Sequence, residues 1–240
     1  MAEWTERAAL LFKPDGLEKL QKAKVLVVGL GGVGSFAAEF LVRAGVGKLT
    51  IVDGDTVDIT NINRQLPALH STIGEPKVKI VGDRLMDINP ELNLIRIEEF
   101  LSPERASEIV TTEFDYVLDC IDSLTPKITF LKLAYESKVK VVSSMGAGAK
   151  LDPTKLQVVD ISKTYNCPFA QQVRKMLKQH EIRKGIKVVF SPENPIKESL
   201  MLTDGKNFKK SAYGTISYLP AVFGAVAASV VIRDLIGEKI

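Results

Sequence analysis

Residues 25–66 read VLVVGLGGVGSFAAEFLVRAGVGKLTIVDGDTVDITNINRQL, and Gly29, Gly31 and Gly34 within them form G-x-G-x-x-G. An apolar, β-branched run precedes the motif. A segment of helical spacing follows it and stops at Gly45, so the stretch predicts strand, tight turn and helix. Backbone N–H groups at such a helix start can face phosphates, and the missing Cβ atoms let the main chain approach them. Gly32 lies in the same loop. Asp53 ends the next apolar run, where an acid can accept from ribose hydroxyls. This combination predicts a nucleotide-binding α/β fold.

The segments that follow keep alternating. LNLIRIEEF, YVLDCID and VKVVSSMGAG read as strands, and PKVKIVGDRLMDINP, SPERASEIV and PKITFLKLAYESK as helices. Such alternation implies a doubly wound, mostly parallel Rossmann-like sheet joined by right-handed crossovers. Residues 1–150 are expected to form an ATP-binding, adenylating part. Residues 151–240 are expected to form a basic insertion and a C-terminal extension for substrate and dimer contacts within the same domain.

The glycine motif alone is compatible with a dehydrogenase, but hydride chemistry has no candidate partner. The two histidines, His70 and His180, sit in no motif. Polar residues instead crowd the end of the second strand: Asp53, Asp55, Asn61, Asn63, Arg64 and Gln65, with Lys77 opening the next helix. Arg64 and Lys77 can stabilise a triphosphate. Asp122 ends another parallel strand, where open sheets bind ligands, and a carboxylate beside a triphosphate is most simply a Mg2+ ligand. Charge neutralisation and positioning suffice for attack on a phosphate, with no covalent protein group.

GLGGVG, VDGDTVDITNINRQ, IGEPKV and DCIDS together resemble the adenylating domain of ubiquitin-activating-like enzymes. That family includes the molybdopterin-synthase and thiamine sulfur-carrier adenylyltransferases. The resemblance implies that Asp53 binds ribose, that Asn61, Arg64 and Lys77 hold the triphosphate of ATP, and that Asp122 binds Mg2+. It also implies a homodimer in which Arg7, in TERAALLF, reaches the partner subunit's site. GAGAKLDPTKLQVVDISKT, CPFAQQVRKMLKQ, KVVFSPENP and GTISYLPAVFG are similar to the RNA-modifying branch of this family. Members of that branch adenylate the threonyl carboxylate of threonylcarbamoyladenosine in tRNA and close it to the cyclic form. The alternative is an adenylyltransferase acting on the C-terminus of a ubiquitin-like sulfur carrier. A third reading is a non-catalytic nucleotide-binding scaffold serving a cysteine-desulfurase or sulfur-acceptor partner. Whether a structural monovalent cation is held stays open.

Charge is uneven along the chain. Residues 163–210 hold eleven Lys or Arg against four acids, although the whole chain carries a net charge of only +3. That segment reads either as a solvated face or as a surface for a polyanion such as tRNA. Cys120 and Cys167 are the only cysteines, which rules out a four-cysteine zinc site. The absence of a secretory signal fits a reducing cytoplasm. Cys120 is expected inside a buried strand. Cys167 is either structural or an acyl acceptor at a helix start. The apolar run 216–232 falls short of the roughly 20 residues that span a bilayer. Its small residues suit a buried or dimer-interface helix.

Overall fold

The computed structural model describes residues 3–202 and 211–238. In chain order α1 (Glu6–Lys22), β1 (Lys24–Val28), α2 (Gly34–Arg43), β2 (Lys48–Val52), α3 (Lys77–Ile88) and β3 (Asn93–Ile97) form the first half of a sheet and its helices. The second half holds α4 (Pro103–Ile109), β4 (Tyr116–Asp119), α5 (Leu124–Glu136) and β5 (Val141–Ser144). Next come β6 (Gln157–Asp160), α6 (Pro168–Gln179), β7 (Lys187–Phe190), β8 (Leu200–Leu202), β9 (Ser211–Tyr213) and α7 (Tyr218–Ile236).

Seven strands form one sheet in the order β3-β2-β1-β4-β5-β7-β6. All its pairings are parallel except that of the edge strand β6 with β7. Strand order runs one way from β1 to β3 and the other way from β4 onward. The switch point therefore lies between the carboxyl ends of β1 and β4, where such sheets open a crevice for ligand. The buried runs of β1, β2 and β4 are apolar, apart from Thr50 and Asp119, because both sheet faces are covered. One face packs on α1, α2, α3 and α7, and the other on α4, α5 and α6.

Three features differ from the sequence reading, two of them in the last third. First, strands β6 and β7 extend the main sheet and β8 pairs with β9, although no strand period was legible there. Second, α7 outlasts its apolar run, reaching Ile236 and ending at Gly237, whose φ of 86° suits a left-handed cap. At 19 residues it is long and apolar enough, by length and composition, to cross a membrane. It packs instead on α1 and α2, with Leu219, Phe223, Ala227, Ala228, Val230 and Val231 fully buried. Third, Cys120 follows β4 rather than lying within it.

Candidate nucleotide site at the switch point

The glycine loop is shaped by its own backbone and by close packing. Gly29 has φ of 87°, and its N–H donates to the Val52 carbonyl at 2.9 Å. A Cβ on Gly34 would lie 1.7 Å from the Gly29 carbonyl oxygen, so only glycine permits this turn. A Cβ on Gly32 would meet Pro220 of α7 at 2.9 Å and the Arg64 carbonyl oxygen at 3.1 Å. Gly31 is different, because the nearest neighbour of a Cβ there is the Gln65 side chain at 3.7 Å. Gly31 is the loop position that leaves room for a phosphate.

Asp53 ties this loop to β2. Its Oδ2 accepts the Leu30 N–H at 2.5 Å and its Oδ1 accepts the Asp55 N–H at 2.7 Å. Burial raises the Asp53 pKa, against the opposing pull of Lys77 and the two backbone donors. Each carboxylate oxygen keeps a further lone pair for a ligand hydroxyl. Asp55 holds Lys77 twice, through its carbonyl to the Lys77 N–H at 3.0 Å and through Oδ2 to Nζ at 3.0 Å. Lys77 is buried in the first turn of α3, where the helix dipole already places positive charge. A cation so placed favours an anionic ligand.

The turn after β2 supplies the remaining polar groups. Asn61 is buried, and its Oδ1 accepts the Asp58 N–H at 3.2 Å within a capping box. Arg64 donates through Nη1 to the Thr60 carbonyl and to Asn63 Oδ1, each at 2.9 Å. Burial lowers the Arg64 pKa, and the Asp122 carboxylate works in the opposite direction. Arg64 and Asp122 are thus close enough at the switch point to interact electrostatically. Gln65 Oε1 is the one buried side-chain polar atom without a hydrogen bond among the described residues. An orphan acceptor beside Gly31 fits a ligand donor, and a flipped amide would offer a phosphate its N–H instead.

Asp122 is exposed just beyond β4. No cluster of three or more potential metal ligands occurs among the described residues. One carboxylate fits a Mg2+ that takes its other ligands from phosphates and water. Arg7 is exposed in the first turn of α1, and the hydrogen bonds and ion pairs of this site do not include it.

Two groups of residues went unrecognised in the sequence. Asp119 and Lys127 are fully buried and paired at 2.7 Å beneath Asp122. An acid in a wholly buried strand and a lysine at a core helix position were the available signals. Lys150 is also buried. Its Nζ donates to the carbonyls of Gly146 at 2.9 Å and Ser191 at 3.0 Å, and lies 3.5 Å from Cys167 Sγ. Cys167 is buried at the N-cap of α6 in the second core. Burial, reinforced by the Asp119 charge, pushes the Cys120 thiol far up.

The basic segment is less free than its composition suggests. Arg174 donates to the Thr164 carbonyl at 2.8 Å and to the Thr164 hydroxyl, and Lys187 pairs with Asp234 at 2.9 Å. Lys163, Lys175, Lys178, Arg183, Lys184 and Lys197 are exposed, while Lys206, Lys209 and Lys210 lie outside the described residues. Helix α6 starts beside Gly146 at the carboxyl ends of the strands. Gly185, after Arg183 and Lys184, packs on Tyr135 near the opposite ends. The exposed cations therefore trail away from the glycine loop.

The ThiF family model matches residues 5–240. A Bacillus subtilis (strain 168) protein, tRNA threonylcarbamoyladenosine dehydratase, is 41% identical over 239 residues, covering 97% of this chain and 94% of its own. The crystal structure of Escherichia coli tRNA N6-threonylcarbamoyladenosine dehydratase in complex with ATP superposes with a TM-score of 0.87 at 33% identity. That match covers 98% of this chain and 96% of the other. The Haemophilus influenzae (strain ATCC 51907 / DSM 11121 / KW20 / Rd) molybdopterin-synthase adenylyltransferase is 36% identical over 166 residues, covering 69% of this chain and 66% of its own.

Proposed function

The chain belongs to the ThiF family, and from that premise we propose that it is an ATP-dependent enzyme that dehydrates threonylcarbamoyladenosine in tRNA to its cyclic form. The observation that carries this reading is coverage. Similarity to the tRNA dehydratases runs end to end, whereas similarity to the sulfur-carrier adenylyltransferase leaves about a third of each chain unmatched.

The threonyl carboxylate attacks the α-phosphorus of ATP and pyrophosphate leaves. The ureido group then attacks the activated carboxyl, closes the ring and releases AMP. Both reacting groups belong to one nucleoside, so the second step is intramolecular and needs no protein nucleophile. In this reading Asp53 accepts from the ribose, and the loop around Gly29, Gly31, Gly32 and Gly34 takes the phosphates. Asn61, Arg64, Gln65 and Lys77 neutralise or bind the triphosphate, with Asp55 holding Lys77 in place. Asp122 is the protein ligand of Mg2+, which when bound would offset charge on the leaving pyrophosphate.

A homodimer completes the proposal. Leu10 and Leu11 on α1 are 85% and 78% exposed and share a helix face with Arg7. Covering these leucines with a second copy would carry Arg7 toward the partner subunit's site. The exposed cations of residues 163–197 would take tRNA phosphates.

The test is direct. Purified protein, ATP, Mg2+ and tRNA bearing the modified adenosine are incubated, and the nucleosides are weighed by mass spectrometry. Loss of one water, with stoichiometric AMP and pyrophosphate, is expected. An unchanged nucleoside, with AMP joined to the C-terminus of a ubiquitin-like sulfur carrier in a parallel reaction that supplies one, would replace this reading by the alternative.

A further inference from the structure

The turn between β4 and α5 carries Asp122, and a buried ion pair grips the residue before it. Asp119 Oδ1 accepts the Ile121 N–H at 3.0 Å, and Lys127 Nζ donates to the Ile121 carbonyl at 2.8 Å. Lys127 and Asp119 complete the ring at 2.7 Å, with neither side chain exposed. Ser143 of β5 donates to Asp119 Oδ2 at 2.6 Å, and the Phe169 ring of α6 lies 5.7 Å from Lys127 Nζ. Both backbone groups of Ile121 are thus fixed from within the core, and the Cys120 N–H is fixed to the Val28 carbonyl at 2.9 Å.

Stability does not account for this arrangement. Two charges withdrawn from water are often no better than apolar residues of the same volume. What a fully hydrogen-bonded ring does supply is a single backbone conformation. The group that benefits is Asp122, the next residue, which is exposed at the end of this turn and interacts electrostatically with Arg64.

We propose that Lys127 is a positioning residue: with Asp119 it clamps Ile121 and so holds Asp122 where a nucleotide-bound metal can be met. The proposal rests on the reading of Asp122 given under the proposed function. Lys127 touches neither nucleotide nor metal and acts through the Ile121 carbonyl.

Lys127→Met in the full chain removes the donor and keeps the volume. Asp119→Asn/Lys127→Met removes both charges, leaves an acceptor for Ile121, and avoids a lone buried carboxylate should the single variant not fold. Amide hydrogen exchange at residues 121–123 is measured without nucleotide or metal. ATP affinity with and without Mg2+, and the Mg2+ concentration for half-maximal turnover, are measured in parallel. Faster exchange is expected, with unchanged metal-free ATP affinity. The Mg2+ requirement should rise about tenfold or more, the usual effect of losing an outer partner of a metal ligand. Combination with Asp122→Asn should be non-additive, because the two changes act on one group. A folded variant with the wild-type Mg2+ requirement and protected amides would overturn the proposal, as would additivity. A wild-type protein that binds Mg2+-ATP but leaves the modified tRNA unchanged would sink the dehydratase reading alone, since exchange and Mg2+-dependent ATP affinity still decide the role of Lys127.

Discussion

Gly224 of α7 and Val33 of the glycine loop meet backbone to backbone: a Cβ on Gly224 would lie 2.4 Å from the Val33 carbonyl oxygen and 3.1 Å from the Ala37 nitrogen. Pro220, one turn earlier, closes on Gly32 in the same way. The apolar helix near the end of the chain is therefore the backing of the phosphate loop near its beginning. The shape of the loop depends on this contact as well as on its own glycines.

Gly224→Val should push α7 away from the loop. Overpacking of this kind costs about 1–3 kcal/mol of stability. A displacement near 1 Å at a reacting centre can cost about a hundredfold in rate. Thermal unfolding and ATP binding, measured together, are expected to fall together. Normal ATP affinity in a destabilised variant would restrict Gly224 to helix packing.

Arg64→Ala should raise the barrier by about 2.7–4 kcal/mol if it removes one donor aimed at developing charge. Steady-state kinetics give the value, and a loss of about tenfold or less would limit Arg64 to holding the 60–65 turn through Thr60 and Asn63. Arg7→Ala subunits mixed with Arg64→Ala subunits should regain activity, because one mixed site would keep both arginines. No recovery, with mixed dimers present, would place Arg7 outside the shared site.

Much of this arrangement was legible beforehand for a physical reason. The strand–glycine–helix unit is local, so its period and its stop at Gly45 appear in adjacent residues. Asp53, Lys77 and Asp122 could be chosen because strand ends can be located without knowing what packs beneath them. The clamp is different, because Asp119, Lys127 and Ser143 come from three elements that only the sheet order brings together. DCID offered two aspartates, and nothing local says that the first turns inward while the second stays exposed. Strands β6 and β7 escaped notice because β6 is a half-buried edge strand that pairs antiparallel with β7, outside the strand–helix alternation that marks the rest of the sheet. The charge count in the basic segment could not reveal that Arg174 and Lys187 are already engaged internally.

Acid should loosen the packing of α2 on α3. Glu39 accepts from Arg43 at 2.7 Å and from Arg84 of α3 at 2.5 Å. Burial opposes its charge, but the two guanidiniums prevail and hold its pKa below the ordinary 4.5. With the folded value depressed, the stabilisation is present above the unfolded value and is lost as pH falls through the folded one. Both arginine side chains are about half exposed, so the contribution stays at or below ~1 kcal/mol. Arg84→Ala should therefore melt below wild type at neutral pH. The gap should close in acid, once Glu39 is protonated. A gap that persists there would reflect lost packing of the arginine stem.

The basic face makes a separate demand. If Lys175 and Lys178 on α6, with Arg183 and Lys184 beyond it, grip tRNA phosphates, binding must release counterions. The logarithm of affinity then falls linearly with the logarithm of salt concentration, by roughly 0.7–0.9 per contact. Replacing these four with Ala should flatten that slope and raise the KM for tRNA. ATP affinity should hold, since the glycine loop lies toward the other end of the strands. Arg174→Ala serves as the internal contrast. Its guanidinium is committed to Thr164, so it should cost stability while leaving the salt slope as in wild type. Parallel salt plots for wild type and the fourfold variant, with equal affinities, would make these residues a solvated face and move the tRNA surface elsewhere on the protein.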